Sequence, residues 1–204
     1  LVLVLPKLLQ QPARALMEAP VEALLVTGLP GSGRSTLLAA VLRSLQSADA
    51  ATSPACAVCV HRHARAFGLE TLELAVAEPP CVHYSEVYDF GSGCLCCSPD
   101  GDLSRLLADL SSQRQQLGLT HFLLETTGVA DPRPFIELFE RQPQESRHFM
   151  LAGVICTVDL VRAPMLLREA SQAGLASIAG RGAAQLRAAD VLVLTKGDEL
   201  QASS

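Results

Sequence analysis

The segment Gly28-Leu-Pro-Gly-Ser-Gly33-Arg34-Ser35-Thr36 lies between an apolar run, Ala23 to Thr27, and a stretch in which Leu37, Leu38, Val41, Leu42 and Leu45 recur at helical spacing. A buried strand, a glycine-rich turn and a helix in that order form the setting a phosphate-binding loop requires. Glycines let the backbone curl until several N–H groups converge on phosphate oxygens, and the helix amino terminus adds favourable partial charge. The expected phosphate and nucleotide contacts are therefore Gly28, Gly31, Ser32, Gly33, Arg34, Ser35 and Thr36, with the Ser35 hydroxyl placed to meet Mg²⁺. Arg34 stands where this pattern has Lys. A guanidinium also binds phosphate, but it is bulkier and planar. The plainer alternative is a strand–turn–helix that uses glycine only for tightness.

The rest of the chain repeats the alternation. Ala55 to His61, His121 to Glu125, Phe149 to Val158 and Val191 to Leu194 read as strands, and Tyr84 to Phe90 as an extended segment. Leu72, Leu74 and Val76 alternate in a way that suits a strand or a short helix. Asp100 or Asp102 can cap a helix that turns Leu103, Leu106, Leu107 and Leu110 inward. Pro132 and Pro134 open another, with Phe135, Ile136 and Phe139 on one face. A helical stretch covers 163–189, with an expected break near Gly180 and Gly182. Strands alternating with helices predict an α/β domain with a mostly parallel sheet flanked by helices, of the phosphate-loop NTPase type. Residues 1–22, carrying Pro6, Pro12 and Pro20, read as a lead-in, and 23–204 as the domain. The chain opens with Leu rather than Met, which suggests a fragment or a trimmed chain.

Composition narrows the function. A net charge of −5 argues against nucleic acid as a partner, which needs a basic face to neutralise phosphates. No apolar run approaches the roughly 18 residues of a membrane span, so no membrane is expected either. Apolar residues at 49% supply a sizeable core. The odd count of seven cysteines, three of them crowded as Cys94, Cys96 and Cys97, is a poor disulfide framework. It points to thiols kept for metal or redox chemistry in the cytoplasm or another reducing intracellular compartment.

Two further elements follow the glycine-rich loop. Glu125-Thr-Thr-Gly128 ends the His121 strand. An acid at a strand's carboxyl end can hold Mg²⁺ through water, and the Gly128 amide can approach a terminal phosphate because no side chain intervenes. Glu125 and Gly128, with Arg34, are thus the candidate catalytic residues, although no general base is identifiable. Thr195-Lys196-Gly197-Asp198 follows the Val191 strand. The Asp198 carboxylate can accept from both N1–H and the exocyclic amine of guanine, a donor pair that adenine lacks. The Lys196 stem can lie over the base, and Thr195 occupies a position more often held by Asn.

Gly93-Cys94-Leu95-Cys96-Cys97 falls between these elements. Thiolates so spaced can face one Zn²⁺, Cu(I) or another soft ion if the backbone is a loop, and three ligands leave one position open for release. A second set, Cys59, His61 and His63 with Cys81 and His83, could form an accessory site. A buried thiol and surface imidazoles explain it more simply. His121 and His148 read as packing or edge residues, and Asp131 and Asp159 as turn residues, with Asp159 also able to orient a loop near the nucleotide.

The motifs GLPGSGRST, GCLCC, ETTGVADP and TKGD, in that order, resemble the nucleotide domain of CobW-type GTPases, relatives of the hydrogenase and urease maturation GTPases. The resemblance spans roughly 23–200, and GCLCC is its most specific part. It implies GTP and Mg²⁺, a transition metal (zinc, sometimes cobalt) on Cys94, Cys96 and Cys97, and slow hydrolysis coupled to metal transfer. It also implies homodimers or complexes with a client metalloprotein. The chain departs from the family at Arg34 and at Thr195, and in reading His61-Arg-His-Ala-Arg-Ala-Phe-Gly68 where the family has an acidic Asn-Glu-Phe-Gly stretch. The sequence ends just past Asp198, so the family's usual carboxyl-terminal domain is expected to be missing. Arg34 leads to an expectation of slow turnover. The rival reading is a non-catalytic metal-binding protein with a degenerate nucleotide site.

Overall fold

A computed structural model describes residues 19–46, 55–60, 82–83, 102–141, 147–170 and 177–201. Its strands are β1 (Val21–Gly28), β2 (Ala55–Val60), β3 (Val82–His83), β4 (Leu119–Glu125), β5 (Phe149–Asp159) and β6 (Val191–Thr195). The helices are α1 (Arg34–Gln46), α2 (Asp102–Leu117), α3 (Arg133–Glu140), α4 (Ala163–Ala170), α5 (Ile178–Ala188) and α6 (Gly197–Gln201). The strands form one sheet in the order β3-β2-β4-β1-β5-β6, and every described pairing is parallel.

Period-two alternation sorts the strand residues between two cores. Ala23 and Leu25 of β1, Ala57 and Cys59 of β2, and Phe122 and Leu124 of β4 point to one face. There they meet Leu103, Leu106, Leu107 and Leu110 of α2 and Phe135 and Phe139 of α3. Phe122 and Phe149 pack edge to face with ring centroids 5.7 Å apart. Val26, Cys56, Val58, Leu123 and Ile155 point the other way, onto Leu37, Leu38 and Leu42 of α1. Both faces are thus covered, which is why the central strands read as nearly continuous apolar runs.

This alternation also aims the polar residues. Glu125 shares parity with Leu123, so it faces the start of α1. Thr157 and Asp159 share parity with Ile155 and line the same face. The carboxyl ends of β1, β4 and β5 therefore deliver Gly28, Glu125 and Asp159 to one edge of the sheet, where strand order departs from chain order and ligands of such sheets bind.

The helical stretch expected over 163–189 contains two helices, α4 and α5. The structure runs α5 straight through Gly180 and Gly182, so the expected break there is corrected. Ser177 caps α5, its hydroxyl accepting from the Gly180 amide at 3.0 Å. Gly182 serves packing: a Cβ there would lie 2.9 Å from the Leu29 side chain of the glycine-rich loop. The Leu72–Val76 and Tyr84–Phe90 expectations fall outside the described residues, as do Asp100, His61, His63 and Cys81.

Candidate functional site

The loop between β1 and α1 curls as expected, with Gly28, Gly31 and Gly33 all at positive φ. A Cβ at Gly28 would overlap the Thr157 and Ser32 hydroxyls. Those two oxygens lie 2.6 Å apart and tie the loop to β5. Ser32 is buried, whereas Gly31 and Thr36 face solvent at the mouth.

Ser35, at the first turn of α1, donates to Glu125 Oε1 at 2.8 Å across 90 residues of chain. Glu125 is only 3% exposed. Its Oε2 is buried with no hydrogen-bond partner in the described structure. A buried carboxylate oxygen left without a donor is costly unless a cation or ordered water meets it. Hydroxyl and carboxylate oxygens side by side are the ligand chemistry of a hard cation, so the residues fit Mg²⁺.

Arg34 folds back over its own loop. Its guanidinium donates to the Gly28 carbonyl, and its Nε lies 3.5 Å from Glu125 Oε1. Burial lowers the Arg34 pKa, and the Glu125 carboxylate acts against that shift. Gly128 closes the same corner: a Cβ there would come within 2.6 Å of both the Pro30 amide nitrogen and the Arg34 guanidinium. Only glycine allows the segment after β4 to approach the loop this closely.

On the other side, the Thr195 hydroxyl lies 2.8 Å from the Ser32 carbonyl and 3.1 Å from that of Val158. A hydroxyl here links β6 to the glycine-rich loop. Lys196, at φ 58°, extends its ammonium to Asp159 Oδ2 at 2.7 Å. Asp159 Oδ1 accepts from the amides of Val161 and Arg162. Burial alone would raise the Asp159 pKa, but Lys196 and the two amides together hold the carboxyl below the usual range. Asp159 therefore does what both sequence readings allowed, shaping its turn and orienting the Lys196 element. Asp198 is exposed in α6, on the solvent side of that element.

The structure thus brings together Gly28, Gly31, Ser32, Gly33, Arg34, Ser35, Glu125, Gly128, Thr195 and Lys196. Cys94, Cys96 and Cys97 lie outside the described residues. Among the described residues no group of three His, Cys, Asp or Glu side chains could hold a metal. Cys59 is packed in the core, and burial pushes its thiol up to about 12. His121 is buried too, its Nδ1 2.7 Å from the Thr120 hydroxyl. No described helix is long and apolar enough to cross a membrane.

Sequence reasoning missed Arg181 and Gln185 of α5, which hold the segment after β4 from behind. One signal was available: Gln185 interrupts the small apolar residues Ala179, Ala183 and Ala184 on a buried helix face.

Comparison with known proteins places the chain in a family. The chain is 26% identical over 181 residues to the zinc chaperone YjiA of Escherichia coli, an alignment covering 88% of this chain and 50% of that protein. It is 27% identical over 187 residues to zinc-regulated GTPase metalloprotein activator 1 of Saccharomyces cerevisiae, covering 88% and 42%. It is 30% identical over 156 residues to the zinc chaperone CobW of Pseudomonas aeruginosa, covering 74% and 36%. The chain therefore spans half or less of the length of these relatives. The crystal structure of Zn(II)-bound YjiA GTPase shares the fold, with a TM-score of 0.55 at 23% identity over 88% of this chain and 50% of that one. The profile of the CobW/HypB/UreG nucleotide-binding domain matches residues 22–204, and the chain belongs to that family.

Proposed function

We propose that this domain binds and hydrolyses GTP, and that its nucleotide state governs transfer of a transition metal, zinc first, to a client metalloprotein. The observation that carries the reading is the Ser35–Glu125 contact at 2.8 Å with Glu125 Oε2 left unpaired, at the foot of a glycine-rich loop. A packing role alone would not leave a buried carboxylate oxygen without a donor.

In this mechanism the amides of the Gly28–Ser35 loop and the amino terminus of α1 hold the phosphates. Ser35 and Glu125 would hold Mg²⁺, which neutralises phosphate charge when bound. The Gly128 amide meets the terminal phosphate. Thr195 and Lys196 set the base end of the site, and Asp198 reads guanine. Arg34 must leave Glu125 to reach phosphate, which makes turnover slow. The metal, as cargo, is held by Cys94, Cys96 and Cys97 and released when the nucleotide changes. Zinc-chaperone and GTPase relatives support zinc and GTP, with cobalt the next metal to test. A client metalloprotein is the expected partner, in a reducing intracellular compartment, with a homodimer as a further assembly to test.

The test is calorimetric titration of the chain with GTP and with ATP in Mg²⁺, with and without Zn²⁺. GTP is expected to bind in preference, and Asp198→Ala to erase that preference. Equal affinity for the two nucleotides would overturn the guanine reading. Joint replacement of Cys94, Cys96 and Cys97 by Ser should abolish stoichiometric Zn²⁺ binding; persistence would move the metal elsewhere. Metal binding that needs the cysteines but ignores nucleotide would leave the non-catalytic metal holder as the surviving account.

A further inference from the structure

The loop after β4 is gripped from behind by two residues one turn apart on α5. Gln185 is 1% exposed, and its Nε2 donates to the Gly128 carbonyl at 3.2 Å and to the Ala130 carbonyl at 3.0 Å. Arg181 donates to the intervening Val129 carbonyl at 2.6 Å. Three successive carbonyls are thus held by one helix face. Because all of Gln185's partners are acceptors, the amide is oriented with nitrogen toward the loop, and its Oε1 is buried without a donor. A side chain chosen only to fill space would not retain a buried amide with an unmet acceptor.

The same helix touches the glycine-rich loop. Gly182 lies between Arg181 and Gln185, and a Cβ there would lie 2.9 Å from Leu29. One element therefore contacts both walls of the phosphate corner. Gly128 in turn approaches Pro30 and Arg34 so closely that no room is left for a Cβ.

We propose that Gln185, assisted by Arg181, is a positioning residue that holds the Gly128 amide where a terminal phosphate meets it, with α5 as the gauge between the two loops. This rests on the reading of Gly128 as the terminal-phosphate contact. Gln185 touches no nucleotide in this scheme and acts through the loop. Its loss should therefore harm only what depends on the third phosphate.

The experiment measures binding of fluorescent GDP and of a fluorescent, slowly hydrolysed GTP analogue to the whole chain in Mg²⁺, with GTP turnover in parallel. Gln185→Glu keeps the shape but turns an oxygen onto the two carbonyls, and Gln185→Leu removes the donor. Both are expected to weaken the triphosphate about 10-fold and to lower kcat, with GDP affinity changed less than about 2-fold. Arg181→Gln, at a half-buried position, should do the same about 3-fold, and Arg181→Lys should restore most of it. Should the Gln185 variants fail to fold, the Arg181 pair decides the question. Equal loss of both nucleotides, or no loss of either, in a chain whose wild type prefers the triphosphate overturns the positioning role. A wild type that binds GDP and the triphosphate analogue alike overturns the Gly128 reading, and the α5 proposal with it.

Discussion

β1 and β6 each end in an element of the nucleotide site, yet they are held in different ways. β1 is flanked by β4 and β5, and Val21, Ala23, Leu25 and Val26 are all at most 3% exposed. Among the described residues β6 pairs with β5 alone, and Leu192 and Leu194 are each 51% exposed. The centre is fixed by apolar burial on two faces. The edge is fixed by polar contacts: Asp190 Oδ2 accepting from the Val154 amide at 2.8 Å, Thr195 on Ser32 and Val158, and Lys196 on Asp159. The proposed phosphate end of the site is therefore set by the core, and the proposed base end by a few hydrogen bonds that salt, pH or single substitutions can shift.

The largest effect should come from the centre. Phe122→Ala removes a ring that is 0% exposed, and should cost about 3–5 kcal/mol of stability in denaturant unfolding. A cost below about 1 kcal/mol would mean that the centre is not the rigid part, and the contrast would collapse.

Glu125→Gln keeps the shape of the floor and removes its charge. Mg²⁺-dependent GTP turnover should fall about 100-fold, the scale of losing one electrostatic stabiliser, while the chain stays folded. Normal turnover would reduce Glu125 to packing.

Thr195→Val removes the hydroxyl that ties β6 to the loop. A loss of about 1–2 kcal/mol is expected, together with weaker GTP binding. Unchanged GTP affinity would show that the edge does not depend on this latch.

Asp159 supplies the pH dependence. Its folded pKa lies below the unfolded value of about 3.9, so its contribution is complete above that pH and is lost as pH falls through the folded value. The Tm difference between the intact chain and Asp159→Asn should therefore narrow as pH drops below about 4. A constant difference from pH 6 to pH 3 would show that the Asp159–Lys196 contact contributes no linkage. The smallest effect belongs to Leu194→Ala on the exposed edge, expected within about 0.5 kcal/mol. A cost near 2 kcal/mol would mean that this face is covered in solution.

Much of this architecture was legible in one dimension because it rests on local rules. Leu103, Leu106, Leu107 and Leu110 are spaced for one helix face, and all are buried. The meeting of Ser35 and Glu125 was legible because each sits at a defined end of its element, and strand parity does the rest. Contacts between distant segments left no such periodic mark. The helix break expected at Gly180 and Gly182 failed because glycine has two uses, and propensity sees only the weaker helix former. Whether a glycine ends a helix or admits a neighbour such as Leu29 depends on what packs against it. Gln185 on the loop after β4, Thr195 on Ser32 and Lys196 on Asp159 join residues 37 to 163 positions apart. Repeating patterns encode which face of an element is buried. Which partner waits there is settled by the packing of whole elements, where a donor is kept only if a particular acceptor arrives beside it.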